Sequence, residues 1–186
     1  KVMSTVKGAA MKKKVALVTG ASRGIGRQIS LTLAKEGMFV IVNYCGSEAR
    51  AKGVLEEIRE NGGDGCIYQC DVADYQQTEA MARDLIKTYG HVDVLVNNAG
   101  YGIEGKLRDT KSEDIDKEYF VLLRTPLLLM KHAANHMIEK EIRGCMVNIG
   151  SVRASRAFPI DCIYGSLKAG LERATQSVAL ELGPYG

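Results

Sequence analysis

Five short apolar runs and five helix-period patterns take strict turns along this chain, and few architectures accept that order. Residues 15–19, 39–42, 65–70, 92–96 and 145–149 read as strands. The patterns between and after them read as helices. Ile25, Ile29, Leu33 and Ala34 fall on one face of the first, which Gly37 ends. Val54, Leu55 and Ile58 point inward from 47–61, and Asn61-Gly62-Gly63 stops that helix. Residues 75–89, closed by Gly90, then 112–140 and 162–182 complete the set. Strands that are apolar throughout are covered on both faces, and a helix after each strand makes neighbouring strands parallel. Right-handed crossovers then predict an α/β fold with a doubly wound parallel sheet. No linker, internal repeat or low-complexity stretch interrupts residues 11–186, which read as one domain.

Composition narrows the function classes. With 46% hydrophobic residues among 186, the chain can bury a core without disulfides. The formal charge of +3 is spread out, and Lys12 to Lys14 is the only basic run, too short for a nucleic-acid-binding tail. The most apolar stretch, 121–130, is half a membrane span and holds Arg124 and Pro126. No nucleic-acid and no membrane partner is expected. Cys45, Cys66, Cys70, Cys145 and Cys162 are odd in number and scattered, most among apolar residues, which favours reduced thiols in a cytoplasmic protein. Cys66 and Cys70 have no second Cys pair beside them, and His91, His132 and His136 have no third ligand at metal spacing, so no metal site is expected. Met81, Met130, Met137 and Met146 read as core fillers. Residue 1 is Lys, so residues 1–10 read as leader, tag or linker, with Met11 the expected start.

The turn after the first strand reads Thr19-Gly20-Ala21-Ser22-Arg23-Gly24-Ile25-Gly26. Gly20 permits a sharp exit from the strand, Gly24 lets backbone approach a pyrophosphate, and Gly26 lets helix and strand pack closely. The helix that follows offers free N–H groups and the positive end of its dipole to phosphate. Glycines mark turns everywhere, but a strand before and a helix after make this one a nucleotide-binding turn.

The glycine spacing is GxxxGxG, and here the chain resembles the short-chain dehydrogenase/reductase family, whose turn reads TGxxxGxG. The resemblance runs over residues 13–186 and implies a Rossmann-like sheet of strand order 3-2-1-4-5. It is carried further by Asn97-Asn98-Ala99-Gly100 after the fourth strand, which matches the family's NNAG, and by Ser151 thirteen residues before Tyr164-x-x-x-Lys168. The resemblance implies cofactor contacts at Gly20, Ser22, Arg23, Gly24, Ile25, Gly26, Asn43, Asp71, Val72, Asn98, Ala99 and Gly100. Asp71 would sit at the adenine, although a carboxylate there could instead cap the next helix. Asn97 would tie neighbouring strands through its amide. Tyr164 and Lys168, spaced i and i+4, share a helix face. Hydride reduction of a carbonyl builds negative charge on oxygen, which needs a proton donor, and a phenol serves better beside a positive charge. Tyr164 would be the acid and base, Lys168 its electrostatic partner and a ligand of the nicotinamide ribose, and Ser151 the holder of the substrate oxygen.

Residues after the second strand speak to cofactor choice. Val42-Asn43-Tyr44-Cys45-Gly46-Ser47 holds no acid before Glu48. A carboxylate there would repel a ribose 2′-phosphate; its absence permits one, Arg23 could pair with it, and Arg50 is a weaker candidate. NADPH is therefore expected over NADH. One position departs from the family. Where the family has a catalytic Asn that stabilises a helix kink and a relay water, this chain has Leu122. Pro126, four residues on, has no N–H to give the carbonyl of residue 122, so it could keep that carbonyl available. The alternative is a broken relay and weak activity.

The resemblance implies an NADP-dependent oxidoreductase that reduces a ketone, most like bacterial 3-oxoacyl-acyl-carrier-protein reductases. Its substrate would be a small molecule or bound to acyl carrier protein. Sugar, polyol and steroid dehydrogenases share the same motifs, and a nucleotide-binding protein with little catalysis is the reading of a different class. A homotetramer or homodimer is expected, and Arg153, Phe158, Pro159 and Ile160 lie where substrate would pass. Against the family the length looks short by roughly a quarter, and residues 145–149, apolar on both faces, read as a central strand. The sequence is therefore expected to lack the C-terminal strands and the substrate lid.

Overall fold

Five β-branched and aliphatic segments pair side by side, all in the same direction, to make the sheet of this protein. The computed structural model describes residues 13–186. The expected leader, Met11 and the first residue of the basic run lie outside the described residues. The strands are β1 (Val15–Val18), β2 (Phe39–Tyr44), β3 (Asp64–Gln69), β4 (Val94–Asn97) and β5 (Cys145–Asn148), in the order β3-β2-β1-β4-β5. Every pairing is parallel, with Val15 opposite Phe39, Leu17 opposite Leu95 and Asn97 opposite Asn148. The crossovers are α1 (Gly24–Lys35), α2 (Glu48–Glu60), α3 (Tyr75–Tyr89) and a long helix of two parts, α4 (Ser112–Tyr119) and α5 (Thr125–Glu139). Helix α6 (Cys162–Leu182) follows β5.

Strand alternation sorts the core into two layers. Val15, Leu17, Phe39 and Ile41 face α3 and α5, where Met81, Leu85, Leu129, Met130 and Met137 close over them. Val18, Val40, Val42 and Val96 face the other way, onto Ala34 of α1 and Val54 and Ile58 of α2. Each such aliphatic side chain contributes about 1.5–3 kcal/mol on full burial. Every residue of β1 and β2 is buried, as the middle of a two-sided sheet requires. Strand β5 instead lies at the edge of the described sheet, with Cys145 exposed and Val147 41% exposed.

Two expectations change in detail. The fully buried residues of α1 are Gly26, Ser30 and Ala34, while Ile29 and Leu33 are half-buried against the core and Ile25 is 63% exposed. Small residues on that stripe let α1 lie close to the sheet. The five cysteines are free thiols, but only Cys70 is buried; Cys45, Cys145 and Cys162 are exposed. Burial pushes the Cys70 thiol up to about 11. Among the described residues no helix is long and apolar enough to cross a membrane.

The long helix is not uniform. Between α4 and α5, Phe120–Arg124 forms a π-helical segment in which the Thr125 N–H donates to the Phe120 carbonyl. Pro126 sits in the first turn of α5 and has no N–H, so the carbonyl four residues back cannot be served in the ordinary α pattern. The wide turn is the chain's answer.

Gly65 of β3 pairs with Val40, and a methyl group there would land on the Val40 carbonyl oxygen. Gly65→Ala is expected to cost about 2 kcal/mol through forced backbone movement. Thermal denaturation should show this as a melting temperature about 4–8 °C below wild type.

Candidate active site

Parallel strands carry all their C-terminal ends to one edge of the sheet, and the loops leaving those ends enclose a single large cleft of about 1460 Å³. Gly20, Ser22, Arg23, Gly24, Ile25, Asn43, Asp71, Val72, Asn98, Ala99, Gly100, Ser151, Tyr164 and Lys168 all line it. Gly26 does not. It is buried in the turn, where a Cβ would strike the Asn98 amide and come within 2.9 Å of the Gly20 carbonyl oxygen, so its part is close packing rather than contact with a ligand.

Turn 19–26 is held from two sides. The Thr19 hydroxyl accepts from the N–H groups of Asn98 (3.0 Å) and Ala99 (3.1 Å), and the Asn98 amide donates to the carbonyls of Thr19 and Gly20. The Asn43 side chain accepts from the Gly20 N–H at 3.1 Å and donates to the carbonyls of Tyr68 and Cys70. Asn43 is buried and its amide is spent inside the protein, so it shapes the turn instead of reaching out of it. Gly20 has φ of 61°, and a Cβ on it would lie 2.8 Å from the Ala99 Cα. That close approach requires glycine.

The turn delivers the start of α1 to the cleft unsatisfied. Its N-cap, Arg23, makes no side-chain capping bond, and its first turn holds no acid. Helices α2 and α3, by contrast, are capped by Ser47 and Asp74. Free N–H groups and a dipole's positive end facing a cleft fit an anion such as a pyrophosphate. Arg23 and Arg50 are exposed on the same wall as Tyr44, Cys45 and Gly46. Glu48 is engaged with Lys52 at 2.9 Å and does not line the cleft. Asp71 accepts from the Ala73 N–H at 2.9 Å, which leaves the capping of α3 to Asp74.

On the opposite wall Tyr164 and Lys168 lie one turn apart on α6. The Lys168 ammonium is buried, 5.9 Å from the centroid of the Tyr164 ring, and donates to the Ile149 carbonyl at 2.6 Å. Burial lowers the Lys168 pKa from its usual value. Ser151 follows β5, and its hydroxyl oxygen accepts from the Arg153 N–H at 3.2 Å. Its hydroxyl hydrogen can therefore point at a ligand.

Several residues of this wall escaped the sequence reading. Gly102 packs against the Tyr164 ring, where a Cβ would lie 3.1 Å from a ring carbon. Glu118, almost fully buried on α4, accepts from the Ile103 N–H and so anchors the loop that carries Gly102. Thr19 was legible only as part of the turn motif. Leu122 is 1% exposed on the π segment and packs toward Gly100, its methyl 2.8 Å from where a Cβ there would stand. Asn97, as expected, ties β4 to β5 by donating to Asn148 at 2.8 Å.

Known proteins share this arrangement. The profile of a family described as short chain dehydrogenase matches residues 14–186. A 3-oxoacyl-(acyl-carrier-protein) reductase of Staphylococcus aureus is 39% identical over 173 residues, 93% of this chain and 70% of that protein. Glucose 1-dehydrogenase 2 of Bacillus subtilis is 34% identical over 174 residues, 93% of this chain and 67% of that one. A crystal structure of a metagenomic short-chain oxidoreductase in complex with NADP superposes with a TM-score of 0.89 at 35% identity, covering 92% of this chain and 77% of the other.

Burial pushes the Glu118 carboxyl up, against the Ile103 N–H, which holds it down. Between the unfolded and folded pKa values the native state binds more protons, so stability is lost as pH rises through that window. Glu118→Gln removes the loss. In thermal melts its advantage over wild type should be smallest near about pH 4 and widen toward about pH 7; a constant gap would mean that Glu118 folds in charged.

Proposed function

The chain belongs to the short-chain dehydrogenase family, and we propose that it is an oxidoreductase that uses NADPH to reduce the ketone of a 3-oxoacyl compound, as its thioester or its free acid. The observation that carries this reading is the convergence of Ser151, Tyr164 and Lys168 on the same cleft as the uncapped start of α1. NADP is the ligand of one of the solved relatives above, and 3-oxoacyl-acyl-carrier-protein reduction is the named activity of another.

The residues fit the dinucleotide. The N–H groups at the start of α1 and the Ser22 hydroxyl would take the pyrophosphate. Asp71 and Val72 would take the adenine. Arg23 and Arg50, with no free carboxylate beside them at the end of β2, would take a 2′-phosphate. Gly100 and Ala99 give the nicotinamide half room against β4. When bound, the reduced nicotinamide supplies the hydride.

The chain's own residues handle the oxygen. Ser151 donates its hydroxyl hydrogen to the substrate carbonyl oxygen and fixes its direction. Tyr164 donates the proton that the oxygen needs as negative charge builds on it. Lys168 is held in place, because its ammonium is buried and bonded to Ile149, so the group that carries the positive charge is fixed beside Tyr164. That charge favours the phenolate that remains.

Loss of NADPH absorbance on adding an acetoacetyl thioester tests the reading. Turnover is expected, and Tyr164→Phe should reduce it by about a thousandfold. NADH should serve poorly, and Arg23→Ala should raise KM for NADPH by about tenfold while leaving KM for NADH in place. Binding of NADPH without oxidation across thioesters, sugars and simple ketones would leave a nucleotide-binding protein instead.

Leu122 bears on the same question. The wide turn already exists with Leu there, so Leu122→Asn is expected to add no rate. It would bury an unpartnered amide against Gly100, at a cost of about 1–3 kcal/mol, and lower the melting temperature by about 2–12 °C. A gain in turnover of about tenfold or more would show that Leu122 impairs proton delivery.

A further inference from the structure

Arg153 stands two residues after Ser151 and reaches back over the reacting groups. Its guanidinium carbon lies 5.9 Å from the centroid of the Tyr164 ring, the same distance as the Lys168 ammonium. The Phe158 ring lies 5.4 Å from it and helps to fix its plane. Two carboxylates hold it unequally. From inside, Asp161 is 6% exposed, has an Oδ2 with no hydrogen-bond partner, and sits 3.9 Å from the Arg153 Nε. From outside, Glu104 is 60% exposed on the loop after β4 and meets the Arg153 Nη2 at 3.4 Å.

We infer that Arg153 binds a carboxylate on the ketone substrate, within a few bonds of the carbonyl, and that Glu104 holds that place until substrate arrives. The inference rests on the reductase reading and deepens it by naming the substrate class. Three features support it. A guanidinium fork takes a carboxylate through paired hydrogen bonds. An exposed ion pair such as Glu104 with Arg153 is weak, so a ligand can replace it. Asp161 is buried and stays, so Arg153 remains charged and aimed at the cleft when Glu104 swings out. A carboxylate substrate exchanges one anion for another and adds no unpaired charge.

A clasp that merely joins the two loops would also use these three residues, and kinetics separates the cases. Wild-type enzyme with NADPH is compared on 3-oxobutanoate and its neutral amide, 3-oxobutanamide. The acid is expected to be favoured in kcat/KM by about tenfold or more. Arg153→Met should collapse that preference by about tenfold, through KM for the acid, and Arg153→Lys should restore part of it. Glu104→Gln should lower KM for the acid. Equal losses on acid and amide in Arg153→Met, or no preference in wild type, would overturn the inference. If neither ketone is reduced while the acetoacetyl thioester is, the inference falls and the reductase reading stands; if none of the three is reduced, the reductase reading falls on its own. In that case 3-hydroxybutanoate, titrated against NADPH-loaded protein in thermal melts, decides the inference: stabilisation lost in both Arg153 variants supports it, and none in wild type ends it.

Discussion

The direction of the strands governs everything else in this molecule. Five parallel strands put five C-terminal ends on one edge, and each right-handed crossover carries the chain back over a face before the next strand begins. The residues that line the cleft come from positions as far apart as 20 and 168, yet none needs a long excursion to arrive there. Had one central strand run the other way, its loop would open on the opposite edge and the cleft would lose a wall. Continuous apolar strands enforce the arrangement, because only helices on both faces keep β1 and β2 dry.

Within that frame, buried amides do the fine positioning. Asn43 binds the glycine turn to the end of β3, and Asn98 binds it to the end of β4. A third line runs from Asn97 to Asn148 to Thr175 and on to the Leu171 carbonyl, joining β4, β5 and α6. Each bond is worth only about 1 kcal/mol net. Leaving one end unpaired in a dry interior costs more, so the set favours one relative placement of turn, sheet and helix. Tyr164 and Lys168 ride on the helix that this line secures.

How far the sequence could be read depended on how local the cause was. Alternation, the glycine turn and the helix stops arise from nearest neighbours, and they place the strands to within about two residues of where they lie. On α1 the expected face holds for Ala34, Ile29 and Leu33, which lie on the core, but Ile25 at the helix start is exposed and close packing on the sheet adds Gly26 and Ser30. Asn43 lines the cleft, but that its amide is bonded to Gly20, Tyr68 and Cys70 depends on partners distant in sequence, which one strand residue does not reveal. The π segment depends on how α4 and α5 meet the sheet, although Pro126 was the local sign of it. Glu104 comes from the loop after β4, and Arg153 and Asp161 from the connection between β5 and α6, and only the fold brings them together.

The bare start of α1 has a consequence for the lifetime of the protein. A helix whose first N–H groups have no side-chain partner begins with a turn that opens more readily than the rest. An anion seated there supplies the missing acceptors and stabilises the native state in proportion to the logarithm of its concentration over its dissociation constant. Ligand and fold are then one equilibrium. Without such an anion this helix end is the more open to fraying, so ligand occupancy would raise the protein's resistance to proteolysis.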